Sequence, residues 1–209
     1  MIRIDLTKKV DIKEAIRPAI DALKGGGVVM HATETCYGLA VDIFNEEALK
    51  KLYSLKKMDE GKAVSIMVDG MAQAREYAEF NDFAVELAGK YWSGPLTLIL
   101  PRRDRLPAYL NASFDTVGVR CPNSEVSRLL IRGVGGPLTT TSANLTGLPE
   151  VYSVDDYLEQ VGEGGKMIDN NMLPDVILDS GILERNVPST VVDCVEEKVI
   201  RVGAIDPAL

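Results

Sequence analysis

Side chains able to bind or polarise a ligand gather where β-branched runs stop. Pro137-Leu138-Thr139-Thr140-Thr141 runs into Ser142-Ala143-Asn144 and then a turn at Gly147. Loops leaving the carboxyl ends of strands overlie the ligand crevice of α/β proteins, so polar atoms there suit a docking site. The same residues also suit a buried strand whose threonine hydroxyls bond neighbouring backbone, with Asn144 opening the turn. A second cluster, His31-Ala32-Thr33-Glu34-Thr35-Cys36-Tyr37-Gly38-Leu39, sets Thr33 and Thr35 to face one pocket; alternatively they are ordinary strand threonines beside a core Tyr37 with its hydroxyl bonded.

Charged side chains add to these. Arg120 stands in the apolar strand-like Thr116-Val117-Gly118-Val119-Arg120-Cys121-Pro122. Burying its charge unpaired is costly, so it must meet a substrate carboxylate or phosphate, or an internal acid. Ser54-Leu55-Lys56-Lys57-Met58 closes a helix-like segment, where lysines complement the negative helix end, or one ammonium turns inward against phosphate. Ser189 and Arg201 fall at the same end of a hairpin. Neither a Walker-A loop nor a Gly-x-Gly-x-x-Gly fingerprint is present.

Composition narrows the chemistry further. The single histidine, His31, and the absence of a Gly-x-Ser-x-Gly elbow disfavour hydrolase triads and multi-histidine metal sites. Three cysteines, Cys36, Cys121 and Cys194, without a close pair, fit a reducing cytoplasm better than a disulfide framework. With 23 basic against 31 acidic residues, the net charge of −8 gives no overall field that draws nucleic acid. Local basic runs at Lys50-Lys51 and at Arg102-Arg103 with Arg105 are solvated faces or a local groove. No signal-peptide core or 18-residue apolar run argues for secretion or a membrane span.

The elements that must position these groups alternate along the chain. Ile12, Ile16, Ile20 and Leu23 predict a helix stopped by Gly25-Gly26-Gly27, and a strand follows at Val28-Val29-Met30. Asn45 and Asn81 cap helices over Glu46 to Leu55 and Asp82 to Trp92. Further strands are expected at Ala63 to Val68, Leu96 to Leu100, Val117 to Arg120, Leu138 to Thr141 and Val176 to Asp179. Helices are expected at Glu125 to Arg132 and near Val154 to Val161, and a hairpin from Thr190 to Val202. This order predicts one α/β domain, residues 1–209, with a mixed sheet covered by helices.

Taken in order, six blocks resemble the YrdC family of L-threonylcarbamoyladenylate synthases over roughly Gly25 to Ile205. They are Ala32 to Leu39, Ser93-Gly94-Pro95-Leu96-Thr97, Val117 to Pro122, Ser142-Ala143-Asn144, Ser189 to Asp193 and Arg201-Val202-Gly203. The resemblance implies a twisted, mixed and largely parallel sheet of about seven strands with a large concave face, in the short form without a further domain. It also implies formation of threonylcarbamoyl-AMP and pyrophosphate from ATP, with Mg²⁺, L-threonine and bicarbonate. A separate threonylcarbamoyl transferase complex would then modify the adenosine beside the tRNA anticodon.

By motif position, Thr33, Ser65, Arg120, Thr140 and Ser189 map to the threonine side. Lys56, Thr116, Ser142, Asn144 and Arg201 map to the nucleotide side, and Lys56 and Arg120 are the expected catalytic pair. No resident metal ligand is expected. The chain departs from the family where a Lys-x-Arg motif reads Lys56-Lys57-Met58, and where prolines become Ala32 and Ala63. Two other readings stand beside the synthase: a paralogue without synthase activity that binds RNA or nucleotide, and a hydrolase or regulatory protein acting on an acylated nucleotide.

Overall fold

A computed structural model describes residues 1–162 and 173–207. Ten strands form one sheet: β1 (Ile2–Asp5), β2 (Val29–Ala32), β3 (Tyr37–Ala40), β4 (Ser65–Met67), β5 (Leu96–Pro101), β6 (Thr116–Arg120), β7 (Leu138–Ser142), β8 (Val176–Asp179), β9 (Thr190–Asp193) and β10 (Lys198–Arg201). Their order is β1-β8-β2-β3-β7-β4-β6-β5-β9-β10. The mixed α/β sheet expected from the sequence is therefore present but larger than seven strands. Four neighbouring pairs are parallel and five antiparallel, so parallel pairing does not dominate.

Seven helices flank it among the described residues: α1 (Ile12–Ala15), α2 (Arg17–Lys24), α3 (Glu46–Leu55), α4 (Met71–Tyr77), α5 (Asp82–Tyr91), α6 (Glu125–Val134) and α7 (Val154–Val161). The expected caps form: Asn45 Oδ1 accepts from Ala48 N at 3.0 Å and Asn81 Oδ1 from Ala84 N at 2.9 Å. The first expected helix is instead split at Ile16, because Pro18 sits at the start of α2 and has no N–H to continue the ladder. No helix among the described residues is long and apolar enough to cross a membrane.

Alternation along each strand sends side chains to opposite faces of the sheet and gives it two cores. On one face, Ile16, Ala19 and Leu23 pack with Leu130 and Ile131 of α6 over Val29, Ala40, Met67, Leu138 and Val176. On the other, Leu49 and Leu52 of α3, Ala84 and Leu87 of α5 and Tyr157 of α7 cover Met30, Leu39, Ile66, Leu98 and Val119. The helices on the first face leave part of the sheet uncovered. That part is where the polar strand residues lie.

Candidate functional site

Pairing across the sheet sets one row of small and polar residues on the uncovered face. Gly38 lies opposite Ser142, and Ser65 opposite Thr140. Thr97 lies opposite Arg120 on β6 and Val191 on β9. Gly118 completes the row, since a Cβ there would collide with the Ser65 hydroxyl. Six strands thus contribute alternate residues to one surface.

That surface floors a cavity of about 220 Å³. Thr33, Ser65, Arg120, Thr140, Ser142, Ser189 and Arg201 all line it, so seven of the ten residues expected from sequence come together. Thr35, Cys36, Thr97 and Glu150 also line it. Thr35 was legible from its alternation with Thr33. Thr97 had a weaker signal, as the one hydroxyl in the otherwise apolar strand Leu96 to Leu100.

The other three expected residues do not line the cavity. Thr116 is the first residue of β6, half-buried, on the same face as Gly118 and one alternation further from Arg120. Lys56 Nζ donates to Ser142 O and to Asn144 O, the latter at 2.8 Å, and its side chain is buried behind the Ser-Ala-Asn turn. That burial brings the ammonium down to about pKa 8. Asn144 Nδ2 donates to Leu148 O at 2.6 Å and Leu145 O at 3.1 Å, holding the turn, while its Oδ1 is buried without a partner.

Arg120 resolves the choice that its position in an apolar strand posed. Its Nη2 donates to Glu34 Oε1 at 2.9 Å and to Thr35 Oγ1 at 3.1 Å, so an internal acid holds it. Arg120 Nε is buried without a partner, and Arg120 is among the residues lining the cavity. The internal acid and a ligand are therefore compatible. Thr33 Oγ1 donates to Cys36 O at 2.8 Å and closes the loop that carries Glu34 and Thr35.

At the far wall, the hairpin brings Ser189 and Arg201 together as expected. Arg201 donates from Nη2 to Ser189 Oγ at 3.1 Å and to Ser189 O at 2.9 Å, and Ser189 Oγ lies 3.1 Å from Thr97 Oγ1. Gly203 lets the chain pass: a Cβ there would lie 2.6 Å from the Ser189 carbonyl carbon.

Other expected groups have structural roles. His31 is buried beneath α6, with Nδ1 3.2 Å from Ala32 O and 3.4 Å from Ser127 Oγ, and burial pulls its pKa down to about 4. Tyr37 is a core ring whose hydroxyl donates to Gly181 O at 2.8 Å. Lys50 pairs with Glu46 and Glu47, Lys51 with Asp175, and Arg105 with Glu76; Arg102 caps the carbonyls of Leu110 and Pro107. These four cations are therefore held by protein groups. Met58, in place of the motif arginine, packs on the larger core.

The Sua5/YciO/YrdC family model, described as "Telomere recombination", matches residues 21–203. A threonylcarbamoyl-AMP synthase of Vibrio cholerae is 31% identical over 193 residues, covering 91% of this chain and 98% of that protein. The crystal structure of Pyrococcus abyssi Sua5 complexed with L-threonine superposes with a TM-score of 0.85 at 30% identity, covering 97% of this chain. This chain spans 58% of that longer protein. Escherichia coli YciO shares the fold, with a TM-score of 0.81 at 22% identity, covering 98% of this chain and 96% of that one.

Proposed function

Because the chain belongs to the Sua5/YciO/YrdC family, we propose that it is an L-threonylcarbamoyladenylate synthase, making threonylcarbamoyl-AMP and pyrophosphate from ATP, L-threonine and bicarbonate. One observation carries the reading: a single cavity joins Arg120, Arg201 and the hydroxyls of Thr33, Ser65, Thr140, Ser142 and Ser189. A related protein of the same fold was crystallised with L-threonine. The product serves threonylcarbamoyladenosine formation beside the tRNA anticodon, through a downstream transferase complex in the cytoplasm.

Threonine's carboxylate pairs with Arg120, whose fork suits a carboxylate. Its amine takes up carbon dioxide to give a carbamate. A carbamate oxygen then attacks the α-phosphorus of ATP, and pyrophosphate leaves. Rate comes from holding the reactants in line and balancing phosphate charge, with little covalent work for the protein. Ser142 and Arg201 lie on the nucleotide side, with Thr116 and Asn144 flanking. Two of the three Lys56 donors hold the 142–144 turn from behind, so Lys56 positions Ser142 and sets a positive charge beneath it without touching phosphate. Met58 supplies no charge, so that task falls to Lys56 and Arg201.

The residues present suit Mg²⁺ carried by ATP rather than a resident ion. Among the described residues no group of three metal-binding side chains occurs. Mg²⁺ usually keeps waters and binds through substrate phosphates, where it would neutralise charge on the departing pyrophosphate.

The deciding experiment is pyrophosphate release by the pure protein with ATP, L-threonine, bicarbonate and Mg²⁺. Release that requires all four supports the reading. Release no greater than the protein-free blank rejects it.

A further inference from the structure

Motif position assigns no substrate to Thr97, yet its buried side chain lines the cavity. Its two γ substituents face different ways. Cγ2 lies 3.4 Å from where a Cβ on Gly118 of β6 would stand, and Oγ1 lies 3.1 Å from Ser189 Oγ, at the start of β9. Ser189 Oγ accepts in turn from Arg201 Nη2 at 3.1 Å. Ser189 is buried as well and, like Arg201, lines the same cavity.

Counting protons shows what this trio offers. A hydroxyl has one proton to give, and a guanidinium gives protons but accepts none. Among the described residues, the Thr97 and Ser189 hydroxyls have no partners beyond each other and Arg201. One hydroxyl proton therefore lies between the two oxygens, and the other has no acceptor in the protein. Accepting from a cation makes the Ser189 hydroxyl a stronger donor and a weaker acceptor, because successive bonds polarise one another in the same sense. The chain of donors thus runs from Arg201 to Ser189 to Thr97, and the free proton is on Thr97.

A buried donor without an acceptor is costly until a ligand supplies one. Ser189 maps to the threonine side, and Thr97 stands opposite Arg120 in the strand register, on the same face of the sheet. Threonine's ammonium only donates, so the free proton requires one of its oxygens. Resting on the synthase reading, we infer that Thr97 is a further threonine-binding residue, which ends a donor relay from Arg201 through Ser189 and gives its proton to an oxygen of the amino acid. An arginine mapped to the nucleotide side thereby strengthens a donor on the threonine side.

The test is calorimetric binding of L-threonine without nucleotide to the wild type, Thr97→Val and Thr97→Ser. Thr97→Val keeps the methyl over Gly118 and removes the hydroxyl, so threonine should weaken about threefold or more. Thr97→Ser keeps the hydroxyl and removes the methyl, so it should bind within about threefold of the wild type. Packing alone would give the opposite order. Melting temperatures verify the folds, and Thr97→Ala carries the comparison in place of Thr97→Val if that variant does not fold. A loss below about threefold on removing the hydroxyl, or Thr97→Ser binding as weakly as Thr97→Val, overturns the relay alone. Wild-type protein that binds no threonine overturns the synthase reading and the relay together.

Discussion

Arg120 and Glu34 form an ion pair at 2.9 Å, with side chains only 8% and 18% exposed, yet each keeps an atom without a partner: Arg120 Nε and Glu34 Oε2. The pair is anchored but not saturated. Glu34 holds the guanidinium through Nη2 alone, and Arg120 also lines the cavity.

Replacing Arg120 by Gln should raise the KM for threonine roughly 10- to 100-fold, while the KM for ATP changes less than about threefold. The variant also strands the Glu34 carboxylate, which costs about 3 kcal/mol of stability. Adding Glu34→Gln should restore part of that stability without restoring threonine affinity. Urea melts and two-substrate kinetics separate the two effects; equal rises in both KM values would contradict the assigned role.

Lys56 makes activity depend on pH. Its ammonium titrates at about 8, against 10.5 for a free lysine, so kcat/KM for ATP should fall as pH rises past about 8. The stability effect runs the other way. The unfolded chain binds more protons between these values, so the cost of burying the charge is full below about 8 and fades as pH rises toward 10.5. Lys56→Met should lower activity at pH 7 and remove the alkaline limb seen in pyrophosphate release from pH 6.5 to 9.5.

His31 makes stability depend on pH at the acid end. The buried ring resists protonation until about pH 4, while the unfolded chain takes up the proton near 6.5. Stability is therefore lost as pH falls through that window, by at most ~3 kcal/mol from this residue. His31→Asn should flatten the dependence of urea midpoints between pH 6.5 and 4, and an unchanged slope would refute it.

Gly203→Ala should disturb the site from outside the cavity. The added methyl meets the backbone of Ser189, and relieving that contact moves Ser189 and the Arg201 fork it holds. A loss of about 1–3 kcal/mol in stability is expected from the overpacking. Activity should drop more than Gly89→Ala drops it, since a Cβ at Gly89 meets nothing within 4 Å.

Much of this architecture could be read from sequence because capping residues announce their helices. Asn45 and Asn81 place the starts of α3 and α5, and α7 has the expected bounds. The unexpected elements lack such signals. β1 is an edge strand that mixes isoleucine with charged residues, and α4 begins after Gly70 with no side-chain cap. β3 begins at Tyr37-Gly38, which reads as a turn, although Gly38 is a strand residue on the cavity floor. In the site, the mapped residues that line the cavity are Thr33, Ser65, Thr140, Ser142, Ser189 and both arginines. Motif position does not separate residues that face the cavity from Lys56 and Asn144, which brace it, because that depends on which way a buried chain turns.

The row from Gly38 to Val191 draws on alternate positions of six strands, and those positions share their face with the packed core around Met67 and Leu138. A slip of one residue in β4 or β5 would turn Ser65 or Thr97 into the opposite core and Ile66 or Leu98 into the cavity. Substrate turnover is therefore an audit of strand phase. Molecules that pair out of step would be inactive and poorly packed at once, so refolding yield can be followed by pyrophosphate release as faithfully as by any spectroscopic probe.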